Sequence, residues 1–203
     1  MDTEAFLALQ AQRRSIYHLG KQVKVSDADL IKAFKTAIKQ SPTPFNNQTT
    51  RAVFVLGAAH DRLWDMIIDR MRQVVNNDEQ FNATTRLKLE GFKNGYGTVL
   101  LYTDMAVVKQ FEEQFAFYAD NFYDWSEEAL GIAAYSVWMT ATAAHLGGNL
   151  QHYNPVIDSD LQAAYDIPDS WRLRGQFVFG SIEEPAGDKD MMDDDVRFIT
   201  VEP

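Results

Sequence analysis

The chain has 203 residues, of which 46% are hydrophobic and 24% are charged, and these fractions are typical of a folded globular protein rather than a disordered chain. The 19 Lys and Arg residues against 29 Asp and Glu residues give a net charge of −10, which argues against nucleic-acid binding because a phosphate backbone is also negative. The absence of cysteine excludes disulfides, thiol nucleophiles and zinc–thiolate sites, and it suits a reducing cytoplasm.

Hydrophobic periodicity and capping residues predict helices with strands between them. A first helix is predicted at 3–14, and a second begins at Ser26 or Asp27 and stops before the Ser-Pro-Thr-Pro sequence at 41–44. Further helices are predicted at 60–75, 78–92, 105–118 and 127–146, and strands at 51–57, 96–102, 171–179 and 196–201. This order indicates an α+β or α/β layered fold, and because no internal repeat is present we expect a single domain over residues 1–203.

No charged residue occurs from Ala129 to Ile157, and an uncharged run of that length raises the question of a membrane span. The run is rich in small and polar residues and lacks the leucine density of a lipid-facing helix, so we expect a helix buried within the protein. The N-terminus lacks the basic and then apolar order of a secretory signal. We therefore expect a cytoplasmic protein with no membrane partner.

Several catalytic and metal-binding motifs are absent. The histidines at positions 18, 60, 145 and 152 do not form the His-Glu-x-x-His spacing of zinc hydrolases, and we expect no metal site. The sequence Gly-Tyr-Gly at 95–97 lacks the third glycine of a dinucleotide fingerprint, and there is neither a phosphate loop nor a Gly-x-Ser-x-Gly elbow. The acidic sequence at 188–195 lacks the glycine and terminal glutamate of a calcium loop.

Positive charge is concentrated near the N-terminus, in contrast to the acidic chain as a whole. Residues 11–51 carry eight basic and two acidic side chains, which makes a local net charge of 8 − 2 = +6. Within this region, Arg13, Arg14 and Ser15 combine two guanidinium groups with a hydroxyl, the chemistry that holds a phosphate dianion. The alternative is ordinary surface charge at the end of a helix.

The sequence Ser-Pro-Thr-Pro-Phe-Asn-Asn-Gln at 41–48 predicts a stiff, extended segment, because each proline restricts the residue before it. Side chains two apart in an extended chain point the same way, so we expect Asn46 and Gln48 on one side and Phe45 and Asn47 on the other. A carboxamide both donates and accepts hydrogen bonds, which matches sugar-like hydroxyls or the edge of a heterocyclic ring. The alternative is a simple turn between a helix and a strand.

The third segment is the glycine-containing sequence at 146–155, which follows the helix of small residues. We expect Gly147 and Gly148 to form a turn with positive φ angles and exposed backbone N–H groups. A planar cofactor could approach such a turn closely because glycine has no side chain.

Together these segments resemble the FMN-dependent nitroreductase family, whose pattern is an N-terminal Arg-x-Ser, a Ser/Ala-Pro-Ser-x-x-Asn-x-Gln segment, a central glycine-rich turn and a basic residue near the C-terminus. The order and spacing match across nearly the whole chain. The sequences at 41–51, 150–155 and 180–189 are also similar to a subgroup of fungal fatty-acid-repression proteins and copper-induced bacterial nitroreductases.

The resemblance implies an α+β fold, namely a three-layer α/β/α sandwich with a central, mainly antiparallel sheet. It implies a homodimer built on the central helix at 127–146, with FMN sites across the interface. The phosphate and ribityl end of FMN would contact Arg13, Arg14, Ser15 and Lys189, and the ribityl chain or ring edge would contact Asn46 and Gln48. The same wall would include Ser41, Pro42 and Thr43, and one backbone N–H among Gln151, His152, Tyr153 and Asn154 would bond flavin N5.

The implied function is an FMN-dependent NAD(P)H oxidoreductase that reduces nitroaromatic or quinone-like acceptors by a ping-pong mechanism. NADH or NADPH reduces the flavin and leaves, and a small aromatic electron acceptor then takes its place. The cofactor carries the chemistry, so no catalytic side chain is expected. One alternative is a flavin-binding regulatory or redox-sensing protein with incidental turnover, and another is a flavin-free interaction module.

One position departs from the family pattern, which commonly continues as Arg-x-Ser-x-Lys/Arg. This chain has Tyr17 where the last basic residue stands. The candidates to replace that cation beside the flavin are Arg51 and Lys88, and the sequence does not choose between them.

Overall fold

The computed structural model describes residues 2–202, which form a five-stranded sheet with antiparallel strand pairs. The strand order is β1-β5-β3-β2, and β4 pairs with β5 along the edge away from β3. The strands are β1 (Leu19–Gly20), β2 (Thr50–Leu56), β3 (Gly97–Asp104), β4 (Gly147–Gln151) and β5 (Trp171–Ile182).

Helices connect the strands, and several begin at the capping residues that the sequence suggests. Ser26 caps α2 by accepting a hydrogen bond from the backbone N–H of Asp29. The helices are α1 (Thr3–Gln12), α2 (Asp27–Gln40), α3 (Ala58–Val75), α4 (Asp78–Gln80), α5 (Arg86–Lys93), α6 (Met105–Gln114), α7 (Ala119–Ala143), α8 (Asp158–Tyr165) and α9 (Asp194–Arg197). Within residues 2–202, no helix is both long enough and apolar enough to cross a membrane.

Strand β3 is buried along its whole length, and its side chains alternate between two hydrophobic clusters. Val99 and Leu101 pack in a cluster with residues of α2 and α7. Leu100 and Tyr102 pack on the other face in a cluster with residues of α3, α5 and α8. Helices therefore cover both faces of the sheet, which confirms the predicted α+β fold with three α/β/α layers.

The predicted strand at 196–201 is wrong. The segment begins within the short helix α9, and residues 198–202 have no regular secondary structure. Ile199 and Val201 are 94% and 90% exposed, so the apolar side chains of this segment have no sheet to pack against. Alternating apolar residues specify a strand only where a neighbouring strand can pair with them.

The expected glycine turn after the central helix is also wrong, because Gly147 and Gly148 belong to strand β4. Positive φ occurs instead at His145, just after the end of α7, where φ is 59°. Glycine is required at position 148 because a side chain would not fit there: a Cβ would lie 2.5 Å from Cζ of Phe177. Strand β1 and helix α8 were not predicted from the sequence, and α7 begins at Ala119 rather than at residue 127.

Candidate functional site

A cavity of about 500 Å³ lies between the segment that follows α1 and the loop that follows β5. We call it the cationic cavity, and its lining residues are Arg13, Arg14, Ser15, Ile16, Tyr17, His18, Glu184, Pro185, Ala186, Gly187 and Lys189. The structure thus brings the predicted residues Arg13, Arg14, Ser15 and Lys189 to one place. The lining contains three cationic side chains and the Ser15 hydroxyl but only one acidic side chain, that of Glu184. This excess of positive charge favours an anionic ligand.

Backbone contacts to β4 hold the arginine segment in position. Ser15 forms a parallel bridge with Gly148, and the backbone N–H of Ile16 donates to the Gly148 carbonyl at 3.0 Å. The buried Asn149 donates from Nδ2 to the Ile16 carbonyl at 2.7 Å. Arg14 also donates from Nη2 to the Gly187 carbonyl at 2.8 Å, which ties the segment to the loop that carries Lys189.

A second cavity of about 400 Å³, which we call the central cavity, lies between α7 and strands β4 and β5. Arg13 lines both cavities, and its guanidinium stacks over the Trp138 ring with its carbon 4.6 Å from the ring centroid. The apolar walls include Leu130, Trp138 and Leu150. A flat, largely apolar group attached to an anionic group would match these two cavities together.

The polar residues of the central cavity include an ion pair between Arg174 of β5 and Glu127 of α7. The Thr103 hydroxyl donates to the second carboxylate oxygen of Glu127 at 2.9 Å. Neither member of this pair was predicted from the sequence. The available signal was the alternation Arg172, Leu173, Arg174 in a predicted strand, which places charged side chains on a face that a helix covers.

The four residues that were predicted near flavin N5 have different surroundings. His152 lines the central cavity, whereas Gln151 is buried in β4 and donates to Asn149 Oδ1 at 2.9 Å. The Tyr153 ring packs in the core against Trp64, and burial raises the pKa of its hydroxyl to about 12. The Asn154 Oδ1 accepts a hydrogen bond of 3.3 Å from the side chain of the buried Gln176.

A third cavity of about 380 Å³ lies beside the 41–48 segment, and we call it the aromatic cavity. Its lining residues are Pro42, Thr43, Pro44, Phe45, Trp125, Glu128, Ala129 and Ile132. None of these residues lines the cationic or the central cavity. Ser41 lies next to this wall, where its hydroxyl is 3.1 Å from Oγ of Ser136 in α7.

Helix α7 lies between two groups of residues that were predicted to bind the same ligand, namely the 41–48 segment and the residues of the cationic cavity. Trp125, Ala129 and Ile132 face the aromatic cavity, whereas Ala134 and Trp138 face the central cavity. With 3.6 residues per turn, these two sets occupy different faces of the helix. Within one chain, the structure therefore does not bring the 41–48 segment together with Arg13, Arg14, Ser15 and Lys189.

The extended conformation predicted for the whole 41–48 segment is wrong beyond Thr43. Residues Pro44–Asn46 form a 3-10 turn, and Phe45, Asn46 and Gln48 have φ angles of 51°, 54° and 49°. Asn46 and Gln48 are exposed, Asn47 is buried, and Phe45 is half-exposed on the side of the aromatic cavity. Contacts with four aromatic rings, those of Phe115, Tyr118, Phe122 and Trp125, stabilise this unusual backbone.

Tyr17 lies in the cationic cavity and is 54% exposed. Arg51 instead forms an ion pair with Asp104 at 3.0 Å and donates to the Gln48 carbonyl at 2.6 Å. The Lys88 ammonium lies 5.8 Å from the centroid of the Phe92 ring. Neither Arg51 nor Lys88 lines the cationic or the central cavity.

Comparison with known proteins gives consistent results. The profile of the Nitroreductase family matches residues 11–181. The nitroreductase CinD from Lactococcus lactis, solved in complex with nicotinic acid, is 45% identical with a TM-score of 0.91, and the match covers 97% of this chain and 100% of CinD. Other CinD structures contain chloramphenicol or 4-nitrophenol.

Two further proteins extend the comparison. The Saccharomyces cerevisiae protein HBN1 is 31% identical over 194 residues, which is 95% of each chain. A Desulfovibrio desulfuricans protein solved in complex with FMN shares the fold, with a TM-score of 0.66 and 16% identity over 97% of each chain. The similarity to CinD and to HBN1 confirms the predicted subgroup.

Proposed function

Because the chain belongs to the nitroreductase family and is therefore an oxidoreductase, we propose that it is an FMN-dependent NAD(P)H oxidoreductase that reduces nitroaromatic or quinone-like acceptors by a ping-pong mechanism. The observation that supports this proposal most strongly is the junction of the cationic and central cavities at Arg13. A ligand with a phosphate at one end and a planar ring at the other would occupy both cavities.

The residues of both cavities fit FMN. In the cationic cavity, Arg13, Arg14, Ser15 and Lys189 would hold the phosphate through charge-assisted hydrogen bonds. The apolar walls of the central cavity would hold the ring, with His152 at its edge. FMN bound there would accept a hydride from NADH or NADPH and later pass electrons to the acceptor.

The backbone N–H groups of the 151–154 segment are not equally available to the ring. The Tyr153 N–H already donates to the side-chain oxygen of Gln176 at 2.7 Å. Of the four residues, only His152 lines the central cavity. We therefore exclude the Tyr153 N–H as the donor to flavin N5. We propose that the donor is a backbone N–H at His152 or at its neighbour Gln151.

Within one chain, α7 separates the 41–48 segment from the arginines of the cationic cavity. A site that uses both groups would need two chains, which supports a homodimer. In a dimer, Pro42, Thr43, Asn46 and Gln48 of one subunit would contact the FMN that the arginines of the other subunit hold. Helix α1 has no buried residue within the chain, and its Phe6 and Leu7 are 46% and 55% exposed. Nearby exposed side chains of α7, Ile132 and Tyr135, extend this apolar surface. A second copy of the chain would cover it.

The aromatic cavity would then receive the electron acceptor. Its walls combine the exposed part of Phe45 with Trp125 and Ile132, and aromatic rings stack well against such walls. The ligands in the CinD structures, nicotinic acid, chloramphenicol and 4-nitrophenol, each contain an aromatic ring. We therefore expect the acceptor to be small, planar and aromatic.

The test is to titrate the purified protein with FMN and to follow absorbance, and then to measure NADH and NADPH oxidation anaerobically with a nitroaromatic acceptor. We expect one FMN per chain and parallel double-reciprocal lines, the pattern of a ping-pong mechanism. A protein that binds no FMN would contradict the proposal. A protein that binds FMN without sustained NAD(P)H oxidation would instead support the regulatory alternative.

A further inference from the structure

The ion pair of Arg174 and Glu127 lies in the wall of the central cavity, although the residue pattern that indicated FMN includes neither side chain. The side chains of Arg174 and Glu127 are 26% and 21% exposed. Arg174 donates from Nε to one carboxylate oxygen of Glu127, its Nη2 forms an ion pair with the same oxygen, and Thr103 donates to the other oxygen. Both carboxylate oxygens are thus occupied, which fixes the position of the charge pair relative to the cavity.

The lining of the central cavity contains few charged groups, and the positive ones outnumber the negative ones. Its lining includes two guanidinium groups, those of Arg13 and Arg174, and one carboxylate, that of Glu127. Arg13 also borders the cationic cavity, where a phosphate would compete for its charge. Arg174 does not line the cationic cavity, so a phosphate there would not compete for its charge. Within the central cavity, the Glu127 carboxylate weakens the electric field of the Arg174 guanidinium.

We propose that the Arg174–Glu127 pair sets the redox potential of the flavin, with Arg174 as the cation near the ring and Glu127 as the group that weakens its effect. This inference rests on the proposed function, because it requires FMN in the central cavity. Negative charge develops over the flavin ring on reduction, and a cation in a partly buried wall stabilises that charge more than it stabilises the neutral oxidised ring. Arg174 therefore supplies the positive charge near the flavin ring that the side chain of Tyr17 does not supply.

The experiment measures the flavin potential against a reference dye at one pH in the wild type and in variants of the pair. For Glu127→Gln, we expect reduced FMN to bind about tenfold more tightly relative to oxidised FMN, a rise of about 30 mV in a two-electron couple. For Arg174→Gln, we expect a fall of similar size, and for Arg174→Lys a potential close to that of the wild type. A purely structural role would not move the potential in opposite directions.

Arg172→Gln is the matched control, because Arg172 lies two residues away on the same strand and donates to the Tyr123 hydroxyl rather than to a group of the central cavity. We expect no change of potential in this variant. If Glu127→Gln does not fold, the comparison of Arg174→Gln with Arg174→Lys is sufficient.

Two results would overturn the inference, and they are distinguishable. If Arg174→Gln binds FMN with an unchanged potential, the pair does not tune the ring, while the proposed function stands. If the wild-type protein binds no FMN at all, the proposed function and this inference fail together.

Discussion

The backbone N–H of Tyr153 donates a hydrogen bond of 2.7 Å to Oε1 of Gln176, a side chain that is fully buried in β5. The Nε2 group of the same side chain donates to Asn154 Oδ1 at 3.3 Å. One carboxamide thus holds the two residues that follow His152, and it fixes the direction in which the chain leaves β4. The wall of the central cavity at His152 therefore depends on Gln176.

We predict that Gln176→Met lowers the free energy of unfolding by about 1–3 kcal/mol, because the Tyr153 N–H loses its partner inside the protein. Methionine has a similar volume, so the loss of packing is small. Urea unfolding followed by circular dichroism measures the change. Gln110→Met, at an exposed position of α6, is the control and should change stability little. Equal stability of the Gln176 variant and the wild type would contradict this account of the turn.

The phosphate assignment predicts that Arg14→Ala and Lys189→Ala each weaken FMN binding by about 1.5–3 kcal/mol, or one to two decades in Kd. Each variant removes one cation from the cationic cavity. Flavin fluorescence titration of the apoprotein gives the Kd. Lys39→Ala, which removes an exposed cation at the end of α2, is the control. Wild-type affinity in both cavity variants would show that the phosphate binds elsewhere.

Close packing of the backbone between β1 and β5 predicts the effect of Gly180→Ala. A Cβ at this position would lie 2.3 Å from the Gly20 carbonyl oxygen, so a strand must move. We expect a loss of more than about 2 kcal/mol in the free energy of unfolding. Gly91→Ala is the matched control in α5, where a Cβ would meet no atom within 4 Å and helix propensity favours alanine. Similar unfolding midpoints for the two variants would contradict the packing argument.

The sequence was most informative where a single residue pattern determined the local structure. Ser26 predicted the start of α2, and the strand predicted at 96–102 corresponds to β3. It failed for β4, because the two glycines suggested a turn, whereas the small size of Gly148 allows the close approach of Phe177. Such a contact joins residues far apart in the chain, and local periodicity contains no information about it.

The candidate site shows the same limit. Arg13, Arg14 and Ser15 were identified because their chemistry is visible in three adjacent residues, and the structure places them beside Lys189. Arg174 was missed because its relevance depends on the packing of β5 against α7. The sequence could not show that α7 separates the 41–48 segment from the arginines, since this follows only from the helix face that each segment contacts.

The proposed dimer predicts that Leu7→Glu shifts the protein toward monomers, because a charge at the exposed face of α1 would have to be buried against the second copy. Sedimentation velocity at micromolar concentration measures the shift. FMN affinity should fall in the same variant, since each site requires both subunits. The control is Leu87→Glu, which places a charge at a similarly exposed leucine of α5. A Leu7 variant that remains a dimer would remove α1 from the interface.

A buried hydrogen-bond chain around His60 predicts a specific dependence of stability on pH. Trp64 Nε1 donates to the Thr98 hydroxyl oxygen at 3.0 Å, and Thr98 Oγ1 lies 3.0 Å from His60 Nδ1. The other ring nitrogen, Nε2, lies 3.2 Å from the Phe92 carbonyl and must be the donor to it. Nδ1 is then free to accept the hydrogen of Thr98, so the neutral imidazole satisfies every partner.

Burial is the main cause that lowers the pKa of His60 from 6.5 to about 4, and the Phe92 carbonyl opposes this effect. Between these two pH values the unfolded chain binds a proton at His60 and the folded chain does not, so the free energy of unfolding falls as the pH falls through this range. The contribution amounts to about 3 kcal/mol at pH 4 relative to pH 7. Other groups also titrate here, and comparison with His60→Gln, which cannot bind the proton, isolates the histidine. We expect the stability difference between wild type and variant to shrink steadily from pH 7 to pH 4 in urea unfolding, whereas a constant difference would mean that His60 takes up its proton equally in both states.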